Sequence, residues 1–242
     1  MHEIERKLKN HGHYINHPQM IPFIGENYTE LNRLLIIGES HYLHNSNNIE
    51  LKNEYSNIID SWYSINKDDI ILKMGDSIGK DIIQCTNTRA NLYAFMKNCR
   101  NLRAYTIFKN VSDVIWQIEY FKEKKIEPFN NLAYMNFFQR PAEYTGEKIN
   151  PKKEDISIAR EVFCHVVQSI NPNFIFVVSS NAWQYISSLK FDNIIIGHSC
   201  HPACAHWNRK SKKYTNYTSD IRISGKKSFY DFLVFNKIFE KF

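Results

Sequence analysis

No run of apolar residues in this chain approaches the roughly 20 that a membrane-spanning helix needs, and the opening Met1-His2-Glu3-Ile4-Glu5-Arg6 lacks the apolar core of a secretory signal. A cytoplasmic location without a membrane partner is the resulting expectation. Cysteine is sparse and unpatterned: five residues, an odd number, with no CxxC pair. That favours reduced thiols over a secreted disulfide scaffold. Internal repeats and low-complexity linkers are also missing, and an apolar fraction of 43% with a charged fraction of 23% excludes disorder for the whole chain. At 242 residues the chain can bury one large core or two small ones. The economical reading is a single domain over residues 1–242, monomeric, with an N-terminal arm (1–32) and a long helical insertion (43–130).

What is present alternates between strand and helix. Arg33-Leu34-Leu35-Ile36-Ile37 reads as a buried strand running into Gly38-Glu39-Ser40-His41-Tyr42, and Asn193-Ile194-Ile195-Ile196 reads as another running into Gly197-His198-Ser199-Cys200-His201-Pro202-Ala203-Cys204-Ala205-His206-Trp207-Asn208-Arg209. Polar residues crowded at the carboxyl ends of buried strands are where an open α/β sheet places its ligand site, and a strand-ending glycine lets the chain turn sharply there. Two further strands are expected, from Leu132 to Phe138, stopped by Gln139-Arg140-Pro141, and from Phe174 to Val178. Asn150-Pro151 reads as a helix start, and Ile156, Ala159, Phe163, Val166, Val167 and Ile170 form one apolar face before Asn171-Pro172 ends it. Ser179-Ser180-Asn181 caps a short helix through Trp183, and Ser228 to Phe242 reads as a closing amphipathic helix. The predicted fold is an α/β three-layer α/β/α sandwich around a central four-stranded, mainly parallel sheet.

The formal charge is +6, and Arg209, Lys210, Lys212, Lys213, Arg222, Lys226 and Lys227 gather after the histidine-rich loop with Asp220 opposing them. Interleaved with Trp207, Tyr214 and Tyr217, they suit a phosphate backbone with faces for stacking bases; a merely solvated basic loop is the alternative. His198, Cys200, His201, Cys204 and His206 are also of zinc-binding type, which keeps a zinc-dependent hydrolase open, although their compact spacing fits no standard finger.

Taken in order, the strand ending in Gly38-Glu39, the strand carrying Asn136-Phe137-Phe138-Gln139-Arg140-Pro141, Glu161-x-x-Cys164 on a helix, Asn171-Pro172 with Val177-Val178-Ser179-Ser180-Asn181-Ala182, and finally His201-Pro202 resemble the uracil-DNA glycosylase superfamily. The resemblance spans about Leu34 to His206. It implies that Gly38, Glu39, Ser40, His41 and Tyr42 build the loop that positions the attacking water. It implies that Asn136 reads the Watson–Crick edge of a flipped base, and that His201-Pro202 stabilises the departing base anion against the DNA. Glu39 and His201 are then the catalytic candidates, with Gly38, Ser40, Tyr42 and Asn136 around the base. Pro202, His206, Trp207, Arg209, Lys210, Lys212 and Lys213 are the candidates for DNA binding. Cleaving an N-glycosidic bond develops positive charge on the sugar and negative charge on the base, so a carboxylate and a hydrogen-bond donor at those two places lower the barrier.

Three departures from the family pattern stand out. Ser40 replaces the aspartate of the Gly-Gln-Asp-Pro-Tyr version while Tyr42 keeps its aromatic residue, and the Pro-Gly of the Gly-Glu-x-Pro-Gly version is lost. Gln139 takes the place of a cysteine ligand, so neither the iron–sulfur cluster of one branch nor any other cofactor is expected. A non-catalytic module binding nucleic acid or a nucleobase on the same scaffold is the alternative to base excision of uracil or another deaminated base.

Overall fold

The computed structural model describes residues 2–43, 48–143, 148–211 and 214–240. The chain divides into two compact units. The first comprises Met1–Pro22, Glu39–Asn91 and Asn136–Ile170, and the second Phe23–Gly38, Leu92–Met135 and Asn171–Phe242.

The strands are β1 (Phe23–Ile24), β2 (Leu34–Gly38), β3 (His41–Tyr42), β4 (Leu132–Asn136), β5 (Pro141–Ala142), β6 (Phe174–Val177) and β7 (Ile195–His198). The helices are α1 (His2–Lys9), α2 (Gly12–Asn16), α3 (Ile49–Asp60), α4 (Lys67–Cys85), α5 (Thr88–Ala94), α6 (Thr106–Ile115), α7 (Glu119–Lys124), α8 (Lys153–Ile170), α9 (Ser180–Ile186) and α10 (Gly225–Phe235).

The α/β class is as expected, but the sheet is not four-stranded. It holds five strands in the order β1-β4-β2-β6-β7, and it is mixed. β2, β6 and β7 run parallel, with Ile37 opposite Val177 and Val177 opposite His198, while β1 pairs antiparallel with β4 through Phe23–Tyr134 and Ile24–Ala133. Two residues of strand are too few to show a period, which is why β1 gave no sequence signal. Beneath it the chain is tight: a Cβ on Gly25 would collide with the Phe129 and Asn130 carbonyl groups, so only glycine fits.

In the second unit the side chains of Leu34, Ile36, Leu132, Tyr134, Phe174 and Phe176 share one buried cluster with Val111, Val114 and Ile115 of α6 and Phe229, Phe232 and Leu233 of α10. Alternate strand residues supply it because successive side chains point to opposite faces. α10 begins three residues before the expected Ser228, capped by the Ser224 hydroxyl, which accepts the Lys227 N–H at 3.1 Å.

In the first unit α8 starts at Lys153, two residues after Pro151, and Asp155 Oδ2 accepts the Lys152 N–H at its start. α8 ends at Ile170, and Asn171 takes a left-handed φ of 46°. Asparagine tolerates that conformation better than most residues, as the predicted stop required. α4 contains one backbone break, at Gly75, whose φ of 75° favours glycine.

Candidate functional site

Glu39, Ser40, Tyr42 and Asn136 fall in the first unit, and the structure brings the segments that carry them together. Gly38 closes β2 without a positive φ, so the turn expected of it uses no left-handed backbone. Immediately afterwards the Phe138 N–H donates to the Glu39 carbonyl at 2.9 Å. Two residues on, β3 and β5 form a parallel pair, with His41 opposite Pro141 and Tyr42 opposite Ala142. The chain beyond the first strand is thus stitched to the chain beyond Asn136.

Glu39 is buried, and its Oε1 accepts the Ile149 N–H at 3.1 Å. Burial first, and then the Glu39 carboxylate, push the Tyr42 phenol up to about 12, against a smaller opposing effect from Ser40. Tyr42 therefore keeps its proton near neutral pH and remains a donor beside a carboxylate. Asn136 is buried at the end of β4, and its carbonyl accepts from Gln139 Nε2 at 2.7 Å; the same nitrogen donates to the Phe137 carbonyl at 3.1 Å. His41 has a structural role: burial holds its imidazole down at about 4, so it is neutral, and Nε2 meets the Thr88 hydroxyl at 3.1 Å.

Beneath this junction lies an ion pair that sequence reasoning missed. Arg140 is 2% exposed and grips Asp155 through Nε–Oδ1 at 2.7 Å and Nη2–Oδ2 at 3.0 Å. It also donates to Glu143 Oε1 at 2.7 Å and to the Pro141 and Asn150 carbonyls at 2.9 and 3.1 Å. The available signal was an arginine locked before a proline, with an acid in the first turn of the next helix. A guanidinium this buried requires such a partner set.

The histidine-rich loop belongs to the second unit and leaves the same sheet edge as Gly38, because β2, β6 and β7 are parallel and in register there. Within that unit the chain passes from β6 to β7 on the side of β6 away from β2. β4, the sequence neighbour of β2, lies on the opposite side. The direction of winding therefore changes between β2 and β6, which is the kind of place where open α/β sheets bind ligands. The Val178 N–H donates to the Ile37 carbonyl at 2.9 Å at this point, and the Ser179 hydroxyl caps α9 by accepting the Ala182 N–H at 3.1 Å.

His198 ends β7, two residues beyond the strand end expected at Ile196. Its ring stacks on Trp183 with centroids 4.2 Å apart and planes 4° apart, and its Nδ1 lies 3.1 Å from the Thr215 hydroxyl. His201 is half-buried, and its Nδ1 accepts the Ala203 N–H at 3.3 Å. A neutral His201 must then carry its proton on Nε2. His206, Arg209 and Lys210 are exposed; Lys212 and Lys213 lie outside the described residues.

Two DNA-binding expectations need correction. Trp207 is 1% exposed in the core beside Phe229, so its face offers nothing to a base. Pro202 is buried, with its carbonyl taken by Asn110 Nδ2 at 2.8 Å. Tyr214 is buried as well, and Tyr217 is spent on Phe232 and Phe235. The apolar bodies of these aromatics found core, and the periodicity-free loop gave no warning of it.

The zinc reading of the loop finds no ligand set: among the described residues no group of three or more histidine, cysteine, aspartate or glutamate side chains is placed to hold a metal ion. Cys200 is buried against Gly225 and Trp207, and burial, the largest cause, pushes its thiol up to about 12. No helix among the described residues is long and apolar enough to cross a membrane. The chain matches no family model, and no curated protein is significantly similar to it.

Proposed function

We propose that this chain is a uracil-DNA glycosylase-like α/β protein that hydrolyses the N-glycosidic bond of uracil or another deaminated base in DNA. The observation that carries the reading is the junction in the first unit. Residues that the superfamily resemblance assigns to the water-positioning loop and to base reading come from opposite ends of a long helical stretch, yet they are tied by the Phe138–Glu39 hydrogen bond and the β3–β5 pair. The Glu39 carboxylate acts on the Tyr42 phenol there, and Asn136 stands two residues before the Phe138 whose N–H ties the two segments.

In this reading Glu39 lies beside the sugar as positive charge develops on it and orients the attacking water. Asn136 hydrogen-bonds the base edge, and Tyr42 supplies the aromatic wall. For His201, in the second unit, the superfamily resemblance implies the role of donor to the departing base; a donor aimed at developing charge in a water-poor site contributes several kcal/mol, typically about 3. His206, Arg209 and Lys210 belong to the rim that holds phosphates.

A panel of oligonucleotides containing uracil, hypoxanthine or xanthine, scored for abasic sites after incubation, tests the activity. Release from at least one of them, with Asn136→Ala losing the discrimination between bases, is the expected result. Binding of the same oligonucleotides without release from any would favour the non-catalytic module.

A further inference from the structure

Sequence reasoning left the N-terminal segment without a role, yet it holds the densest set of buried, unpartnered polar atoms in the described chain. His13 is 9% exposed, Tyr14 1%, His17 1%, Gln19 7% and Trp62 0%. His13 Nε2, Tyr14 Oη, His17 Nδ1, both Gln19 amide atoms and Trp62 Nε1 make no hydrogen bond. The His17 ring lies flat on Trp62, with centroids 4.6 Å apart and planes 8° apart, and its Nε2 donates to the Trp62 carbonyl at 3.0 Å. That bond places the proton on Nε2 and leaves the Nδ1 lone pair bare. The His13 ring is next to it, at 5.0 Å between centroids.

We infer that His13 and His17 form a proton-binding pair that keeps the N-terminal segment, residues 2–22, docked at neutral pH and lets it go on acidification. Each bare nitrogen is a place for a proton, and each ring sits where a charge has lost its water. The groups acting on His13 are His17 and His11, and those acting on His17 are the backbone carbonyls of Trp62 and Ile65. The Tyr63 ring also faces His13, and burial first, then the Asp155 carboxylate, push its phenol up. Arg89 acts on Tyr14 and is itself bound to Glu5 at 2.7 Å. From α8, Glu161 and His165 face His11, at 3.3 Å and 4.8 Å respectively. Burial first, and then His165, hold His11 below the ordinary histidine value against the opposing pull of Glu161, so a proton on His11 adds to release.

Burial holds both members of the pair below the ordinary histidine value, His17 at about 4. Docking is fully supported above about pH 6.5, where the released histidines are neutral too, and it weakens as pH falls from there toward the docked values. The segment is also fastened by His165 Nε2 on the Lys7 carbonyl at 3.0 Å and by a contact that does not titrate in this window, Arg89 Nε to the Pro22 carbonyl at 2.9 Å.

Amide hydrogen exchange of residues 2–22, corrected for the intrinsic pH dependence and followed from pH 7 to 4.5, reads the docking equilibrium. The pair takes up two protons on release, which raises the opening constant by up to about 100-fold per pH unit, and His11 adds up to a further tenfold; His13→Gln and His17→Gln should each lower the slope by up to about tenfold per unit. A natural chain with a slope of tenfold per unit or less, or single variants that keep the full slope, overturns the pair. Should the variants fail to fold, an NMR titration of the natural chain decides instead. Midpoints for both rings at least about one unit below the ordinary 6.5 support the pair, and a midpoint closer to 6.5 for either overturns it.

Discussion

Replacing Arg140 by methionine keeps much of the side chain's volume and deletes its charge, leaving Asp155 buried at 1% exposure with the Lys152 N–H, at 2.6 Å, as its remaining donor. Removing one partner of a buried ion pair costs about 3–5 kcal/mol, because the other charge stays without compensation. Glu143 adds little, since its side chain is 31% exposed and screened. The expected loss is therefore about 3–5 kcal/mol in the first unit. Adding Asp155→Leu to Arg140→Met should recover part of it, leaving the cap on Lys152, worth about 1 kcal/mol, as the main deficit. Because the chain has two compact units, a single unfolding midpoint need not report on one of them. Native-state hydrogen exchange at α8 and at the β3–β5 pair is the suitable assay. A loss below about 1 kcal/mol in Arg140→Met, or a double variant no better than the single one, would refute the view that this pair holds the junction together.

Trp207→Ala should destabilise the second unit by about 3–5 kcal/mol as a large core truncation. Arg209→Ala with Lys210→Ala should leave stability within about 0.5 kcal/mol and flatten the salt dependence of DNA binding by about one unit of slope per lost phosphate contact; chemical denaturation and binding titrations at several salt concentrations check both. Gly197→Ala places a Cβ 2.5 Å from Phe232 Cδ2 and 2.9 Å from Phe176 Cδ2, and overpacking of this kind costs about 1–3 kcal/mol by the same denaturation measurement.

The long apolar runs were legible because buried strands write themselves as continuous hydrophobic stretches: β2, β4, β6 and β7 each lie where such a run stands, with ends shifted by no more than two residues. Asn171 and Ser179 were legible as a helix stop and a cap because their roles are local. What escaped detection depends on partners distant in sequence. β3 and β5 are two residues each and exist only because they pair with one another. Arg140 needs Asp155 across a loop and a helix start. Trp207 looked like a stacking residue among basic neighbours, and only the packing of α10 reveals it as core. The histidines of the N-terminal segment carry no periodic signal, and their importance lies in burial that no local pattern records. In the candidate site, the residue types at Glu39, Asn136 and His201 were readable. The backbone bond and the small parallel pair that join the first two were not.

The proposed activity is tested most directly by the single-turnover rate of base release from the best oligonucleotide of the panel, measured for the natural chain and for Glu39→Gln alongside their affinities for that DNA. Removing a positioned general base typically lowers such a rate by about 100-fold or more. The expected result is a loss of that size with binding unchanged. No release by the natural chain, or release by Glu39→Gln at the natural rate, would contradict the assignment of Glu39 to the chemistry.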